Sequence, residues 1–157
     1  MTHSIKVTAP EGVPFVEFER EFDAPVAAVF RAHKEPELVK QWLGPRKYEM
    51  EIESYDFRTG GRYRYVHRND TGEYAFNGVF HSVRENEVAI QTFEFEAFPD
   101  VVSLDHLVFE DLGDGRTRLL GRSTYPSLEA RDGMVSSGME GGMSEGYERL
   151  DEVLADL

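Results

Sequence analysis

The chain contains five histidines, but none of the spacings that turn histidine into a zinc-protease motif. No two histidines stand four residues apart with an acid between them. No Gly-x-Ser-x-Gly elbow is present, and the glycine-rich stretch at 138–142 lacks the Lys-Ser/Thr ending of a phosphate loop. The sequence therefore assigns no catalytic residue and predicts neither a metal site nor a cofactor. The histidines are His3, His33, His67, His81 and His106.

His67 is the histidine whose surroundings are best suited to chemistry. It alternates with arginines along a predicted strand, so we expect it to point inward, whereas His81 follows Phe80 and should point outward. A neutral histidine that packs in the core and a base or ligand contact are both consistent with this position. Asp105 is a candidate partner for acid–base work if the fold brings the two side chains together.

Composition limits the classes of protein and partner. The 157 residues include 17 basic and 30 acidic side chains, so the net charge is −13. Such a charge repels phosphate backbones and anionic membranes, which argues against nucleic acid as a partner. The absence of cysteine excludes disulfides, thiolate zinc sites and cysteine nucleophiles. With no long apolar run, we expect a cytoplasmic protein without membrane insertion, folded as one domain over residues 1–157.

The elements that position these side chains follow from the hydrophobic pattern. Residues 15–22 alternate as a half-buried strand, and two short helices follow, at 25–33 with Asp23 as its N-cap and from Pro36 to a stop at Gly44. From 48 to 125 the pattern indicates six antiparallel strands joined by tight turns. Ser127 can then cap a helical turn at 128–131 that leads into a long helix over 134–156.

Four segments resemble a known family: FDAPVAAVFRAHKEPELVKQWLGP, GGRYRY, NGVF and GMEGGMSEGYERL. Together with the order of elements, they resemble the START-like (SRPBCC) superfamily, and within it the branch named for the activator of Hsp90 ATPase homologue 1 (AHSA1). The resemblance implies an α+β helix-grip fold. In that fold a curved antiparallel sheet of six or seven strands wraps around a long C-terminal helix, and a cavity lies between them.

The resemblance also implies a type of partner. Members of the superfamily bind lipids, polyketides and other apolar molecules, and some are cyclases or hydrolases. We therefore expect an apolar small-molecule ligand, with an enzyme of the cyclase or hydrolase type as the alternative. Family behaviour makes a homodimer a further expectation. An interaction with Hsp90 is a third alternative, although the namesake's activity also draws on a separate domain.

Strand alternation and helix phase select the residues expected to line the cavity. An aromatic interior with a few hydroxyl and imidazole groups suits an apolar ligand that carries one polar group. The alternative is that the same aromatics fill a solid core. In an enzyme, His67, Tyr63 and Tyr65 would be the polar groups. The predicted lining consists of Trp42, Tyr63, Tyr65, His67, Phe76, Phe80, Phe93, Phe95, Ser123, Met139, Gly142 and Met143.

The predicted terminal helix contains glycines at a density that needs an explanation. Gly138, Gly141, Gly142 and Gly146 fall within three turns, and each costs about 1 kcal/mol relative to alanine inside a helix. At about 100° per residue, Gly142 and Gly146 lie on the face that meets the sheet. Two explanations stay open, close packing of the helix backbone against its neighbours or space for a ligand.

Overall fold

The computed structural model describes residues 3–157 and contains four helices and an eight-stranded antiparallel sheet in that range, which confirms the predicted α+β helix-grip fold. None of the described helices has the length and apolar character needed to cross a membrane. The helices are α1 (Val26–Lys34), α2 (Pro36–Trp42), α3 (Leu128–Ser136) and α4 (Met139–Ala155). The strands are β1 (Lys6–Thr8), β2 (Phe15–Phe22), β3 (Glu49–Tyr55), β4 (Arg62–Asn69), β5 (Gly72–Arg84), β6 (Val88–Phe95), β7 (Val102–Gly113) and β8 (Arg116–Thr124).

The strands lie in the order β1-β2-β8-β7-β6-β5-β4-β3, and neighbouring strands are antiparallel. Helices α1 and α2 carry the chain from β2 to β3 at the opposite edge of the sheet. Successive hairpins then return it until β8 pairs with β2. Register shifts interrupt β3, β5 and β7. Such irregularities bend strands, and they accompany the curvature that gives the sheet a concave face.

The sheet has one strand more than the sequence predicts, because the short strand β1 is missing from the prediction. Its three residues pair with β2, with Val7 opposite Phe18. Three residues are too few for an alternating pattern to stand out, so only the pairing with β2 identifies them as a strand.

The N-termini of α1 and α3 test two predicted helix caps. Asp23 does not cap α1, so that prediction is wrong. The residue that precedes α1 is Pro25, and Asp23 instead contacts the ring of His3, 2.9 Å from Nε2. Ser127 does cap α3, since its Oγ accepts a hydrogen bond of 3.0 Å from the backbone N–H of Ala130.

The predicted long C-terminal helix is divided in two at Gly138. This glycine has a φ of +90°, in the left-handed region that ends helices, and separates α3 from α4. The Ser137 hydroxyl donates to the Met134 carbonyl at 2.6 Å and helps to close the end of α3. The break changes the helical phase, and Val135 is exposed on α3.

The C-terminal half of α4 seals one end of the concave face. Leu150 is fully buried there, and Val153 and Leu154 are nearly so. A charged pair joins the same turn of α4 to the sheet. Arg20 of β2, whose side chain is 1% exposed, donates to the two carboxylate oxygens of Asp151 at 2.6 and 2.8 Å. This bidentate geometry fixes both the register and the orientation of α4 on the sheet.

We predict that Asp151→Ala destabilises the fold by about 3 kcal/mol, because it leaves a buried guanidinium without its counter-charge. The measurement is the free energy of unfolding in urea. The matched control is Glu17→Ala, which removes the exposed partner of Arg122. A solvent-exposed pair should contribute less than about 1 kcal/mol. Equal losses in the two variants would contradict the anchoring role of the Arg20–Asp151 pair.

Candidate functional site

A cavity of about 580 Å³ lies between the concave face of the sheet and the N-terminal half of α4. Its walls come from β4 to β8, and its roof from α2, the segment that follows α2, and α4. The turn between α3 and α4 borders it through Ser137 and Gly138, both of which are exposed. Pockets for small molecules have volumes of about 300–1,000 Å³, so the cavity has the size of a ligand site.

Aromatic rings form one wall of the cavity. Tyr63, Tyr65 and His67 alternate along β4 and point inward, while the arginines of the same strand are more exposed. Tyr65 stacks on Phe76 of β5 with ring centroids 5.2 Å apart, and Phe76 stacks on Phe93 of β6 at 5.3 Å. This wall is continuous across three strands and offers flat apolar surface to a ligand.

The roof of the cavity consists of the fixed indole ring of Trp42 and of flexible side chains on α4. Trp42 donates from Nε1 to the Ala32 carbonyl at 2.9 Å and stacks on Tyr147 with centroids 5.8 Å apart. Trp42 therefore both anchors the short helices and lines the cavity. Met139 and Met143 border the cavity on α4, where their flexible side chains can adapt to an irregular surface.

The two inward-facing glycines of α4 have different surroundings. A Cβ atom on Gly146 would meet the Trp42 carbonyl oxygen at 3.3 Å and the Gly44 nitrogen at 3.5 Å, so this glycine allows close approach of two backbones. A Cβ atom on Gly142 would meet nothing within 4 Å, and Gly142 lines the cavity. Close packing therefore explains Gly146, whereas Gly142 borders open space in the cavity and a ligand there stays a prediction.

A polar patch interrupts the apolar lining on the floor. Gln91, Asp105 and Ser123 are register partners on β6, β7 and β8, and all three line the cavity. Ser103 donates from Oγ to Asp105 Oδ1 at 3.1 Å. Burial raises the pKa of Asp105 to about 6, although hydrogen bonds from Ser123 and Ser103 act in the opposite direction. The floor thus holds one carboxyl group that titrates close to neutrality.

The polar groups of the lining differ in their hydrogen bonds to the protein. Tyr63 donates from its hydroxyl to the Thr92 carbonyl at 2.5 Å and lies 3.3 Å from the Gln91 amide nitrogen. Burial raises the pKa values of Tyr63 and Tyr65 far above their usual range, so both are neutral. His33 contacts the Val29 carbonyl through Nδ1 at 2.8 Å.

His67 is a neutral aromatic member of the wall. Burial lowers its pKa to about 4, with a further contribution from the charge of Arg149. Its ring stacks on Tyr48 with centroids 5.7 Å apart, and its Nε2 has no hydrogen-bond partner among the described residues. Gly44, with a φ of +88°, lies against the ring, where any Cβ atom would overlap the imidazole.

His67 and Asp105 do not form the acid–base pair that the sequence suggested as a candidate. His67 lies on β4 and Asp105 on β7, so three strand spacings of about 4.8 Å each separate them across the sheet. Neither a hydrogen bond nor an ion pair connects them among residues 3–157. The same residues hold no group of three or more His, Asp or Glu side chains arranged to bind a metal ion.

Comparison with known proteins agrees with this architecture. The family model described as activator of Hsp90 ATPase homolog 1-like protein matches residues 23–155. The chain belongs to the AHSA1-like family. A search of curated proteins found no match.

Solved structures extend the AHSA1-like assignment to the fold. A crystal structure of a protein from Rhodobacter sphaeroides matches with a TM-score of 0.90 at 26% identity, covering 98% of this chain and 99% of that one. A solution structure of a protein from Arthrobacter aurescens matches with a TM-score of 0.87 at 26% identity, covering 97% and 92%. DynU16, a protein of the dynemicin biosynthetic locus, has a TM-score of 0.68 at 20% identity, covering 90% of this chain and 47% of its own, and shows the fold alone.

Within this AHSA1-like fold, all but one of the residues predicted to line the cavity border it. Phe80 lies outside the lining and is fully buried, because it packs edge-on against Phe57 with ring centroids 4.9 Å apart. Ligand contact stays a prediction for the remaining residues, which do border the cavity: Trp42, Tyr63, Tyr65, His67, Phe76, Phe93, Phe95, Ser123, Met139, Gly142 and Met143.

Several lining residues of the AHSA1-like cavity were not predicted. Gln91 could have been found from alternation alone, since it shares a face with Phe93 and Phe95 on β6. Ser103 and Asp105 face inward together on β7, but their place beside Ser123 depends on strand register. Tyr147 belongs to the roof because α4 turns it toward Trp42.

We predict that Gly142→Leu folds with a free energy of unfolding equal to or higher than that of the parent, because the new side chain enters open space and glycine is a poor helix former. The gain from helix propensity is up to about 1 kcal/mol. Gly146→Leu should instead lose about 1–3 kcal/mol through overpacking against the backbone of the segment after α2. Urea unfolding of both variants measures this difference, and equal losses would contradict an open space at Gly142.

We predict that Asp105→Asn stabilises the protein at high pH and not at low pH. The folded-state pKa of about 6 lies above the ordinary 3.8, so ionisation of Asp105 costs stability as the pH rises through this window. The variant should gain about 2–3 kcal/mol near pH 8, shrinking toward zero near pH 4.

Urea unfolding across this pH range measures the effect. The pKa values of the surrounding tyrosines lie above the window, and His33 and His67, with pKa values of about 4, titrate in both variants and cancel in the difference. A gain that does not change with pH would refute ionisation of Asp105 as its cause.

Proposed function

We propose that this AHSA1-like protein binds an apolar small molecule, of the lipid or polyketide-like type, in the cavity beneath α4. The observation that carries the proposal is the open space at Gly142, which faces a continuous aromatic wall instead of a filled core. Burial of a ligand's apolar surface there would contribute about 25 cal/mol per Å².

The proposed ligand lies with its apolar body between Phe76 and Phe93 on one side and the α4 methionines on the other. Its polar group lies at the floor, where Gln91, Asp105 and Ser123 present hydrogen-bonding atoms. An apolar pocket with a few convergent polar groups is the usual composition of a small-molecule site. The polar patch would fix the orientation of the ligand, and the aromatic wall would supply most of the affinity.

A second candidate function is enzymatic, and Asp105 is the residue that favours it. A carboxyl group whose pKa is about 6 is suited to proton transfer near neutral pH. Ser103, within hydrogen-bonding distance, would orient it. Two of the polar groups named for catalysis from the sequence support this candidate less, since the Tyr63 hydroxyl donates a hydrogen bond to the backbone and the His67 ring is neutral and packs beside Gly44.

We predict that fused-ring aromatic and acyl-chain probes raise the melting temperature of the protein, because a ligand that binds only the folded state stabilises it by mass action. At a probe concentration of about 100 times Kd, the added stability is about 2.7 kcal/mol. Thermal shift measures the effect, and Gly142→Leu should reduce it by occupying the cavity without unfolding the chain.

The matched control for this experiment is Gly141→Leu, on the exposed side of the same helix turn. Equal shifts in both variants and the parent would place binding elsewhere and contradict the proposal. Mass spectrometry of the recovered probe separates the two candidate functions. Recovery of unchanged probe favours binding alone, whereas a chemically altered probe favours the enzymatic candidate.

A further inference from the structure

Asp105 differs in charge from the rest of the described lining. The other ionisable groups there either face away or are neutral. Arg122 is paired with Glu17 on the convex face, and His106 is exposed. His33 and His67 are neutral near pH 7, since burial lowers the pKa of each to about 4. Inside the cavity, the carboxylate of Asp105 is thus the one formal charge contributed by the described residues.

The Asp105 carboxylate has no cationic partner within residues 3–157. Its hydrogen-bond donors are the neutral hydroxyls of Ser103 and Ser123. The buried cation on the concave face, Arg20, donates to both oxygens of Asp151. Asp105 is half-buried, and an ionised carboxylate that has lost part of its water without gaining a counter-charge is costly, so a cation delivered by a ligand would recover part of that cost.

Tyrosines line the same cavity as this carboxylate. The negative charge of Asp105 contributes to the raised pKa values of Tyr63 and Tyr65 on β4, Tyr125 after β8 and Tyr147 on α4, so all four lie within its electrostatic reach. The hydroxyls of Tyr65 and Tyr147 make no hydrogen bond to the described protein. Aromatic faces attract cations, and the effect grows when the site is shielded from water.

We propose that the ligand of this cavity is an apolar amine, whose protonated nitrogen pairs with Asp105 while its apolar body lies along the aromatic wall. The inference rests on the proposed function, since it assigns a chemical class to the occupant of the same site. A neutral ligand of the same shape would leave the carboxylate unpaired. A carboxylic acid would be repelled by it.

Two fluorescent probes with one ring system test the charge requirement. The first is anthracene with an aminomethyl group, and the second is anthracene with a hydroxymethyl group. Fluorescence titration near neutral pH should give an affinity for the amine about tenfold or more above that for the alcohol. In Asp105→Asn the preference should disappear while the alcohol still binds, because the apolar wall is unchanged.

The net charge of −13 attracts any cation weakly, so a matched charge control is needed. Asp156→Asn removes one exposed carboxylate at the end of α4, and it should keep the full preference for the amine. Gly142→Leu reports whether the probes occupy the cavity, and it should weaken both of them.

Each outcome decides a different claim. Equal affinities for amine and alcohol, both weakened by Gly142→Leu, would overturn the amine inference and leave binding in the cavity standing. A loss of preference in Asp156→Asn as large as in Asp105→Asn would also overturn it, because the selectivity would then come from overall charge. Failure of both probes to bind, or binding that Gly142→Leu leaves unchanged, would count against the proposed function and the inference together.

Discussion

Arg20 on β2 and Asp151 on α4 join the sheet to the helix through two charge-assisted hydrogen bonds, beside the fully buried Leu150. Because both oxygens of the carboxylate are engaged, the helix cannot rotate or slide without breaking the pair. The C-terminal half of α4 is therefore fixed. The N-terminal half extends from that anchor over the concave face, and Gly146 allows its backbone to rest on the segment after α2. The space beneath Gly142 exists because this anchored helix spans it.

The electrostatics of the cavity depend mainly on Asp105. Arg20 is a buried cation of the sheet, but its charge is balanced by Asp151 and it forms no ion pair with Asp105. The carboxyl group on the floor is left with hydroxyl partners alone, and its pKa is raised to about 6. An amine ligand would supply the missing charge.

Several features of this region reduce stability, and they lie together. Gly142 weakens a helix without a packing reason, Asp105 is an acid in an apolar surrounding, and His67 has a buried nitrogen without a partner. Elsewhere, local preferences agree with the fold, as in the Ser127 cap and the alternating strands. Concentration of such costs in one place is expected where a protein has a functional site. This is the physical basis for the proposal that the cavity is the functional site.

The sequence by itself determined the strand alternation and the inward direction of Tyr63, Tyr65 and His67, because these depend on patterns with periods of a few residues. The fold class came from the resemblance of the sequence to its family. The sequence did not determine that β1 adds to the sheet, that Gly138 divides the last helix, or that Phe80 lies in the solid core. Tertiary structure also decided which glycine leaves space and which allows contact, because Gly142 and Gly146 lie on the same face of a helical wheel and the sequence does not distinguish them. Tertiary structure likewise decided that Asp105 lies beside Gln91 and Ser123 and that His67 lies three strands away. Distances across a sheet depend on strand order and register, and no local pattern in the chain encodes them.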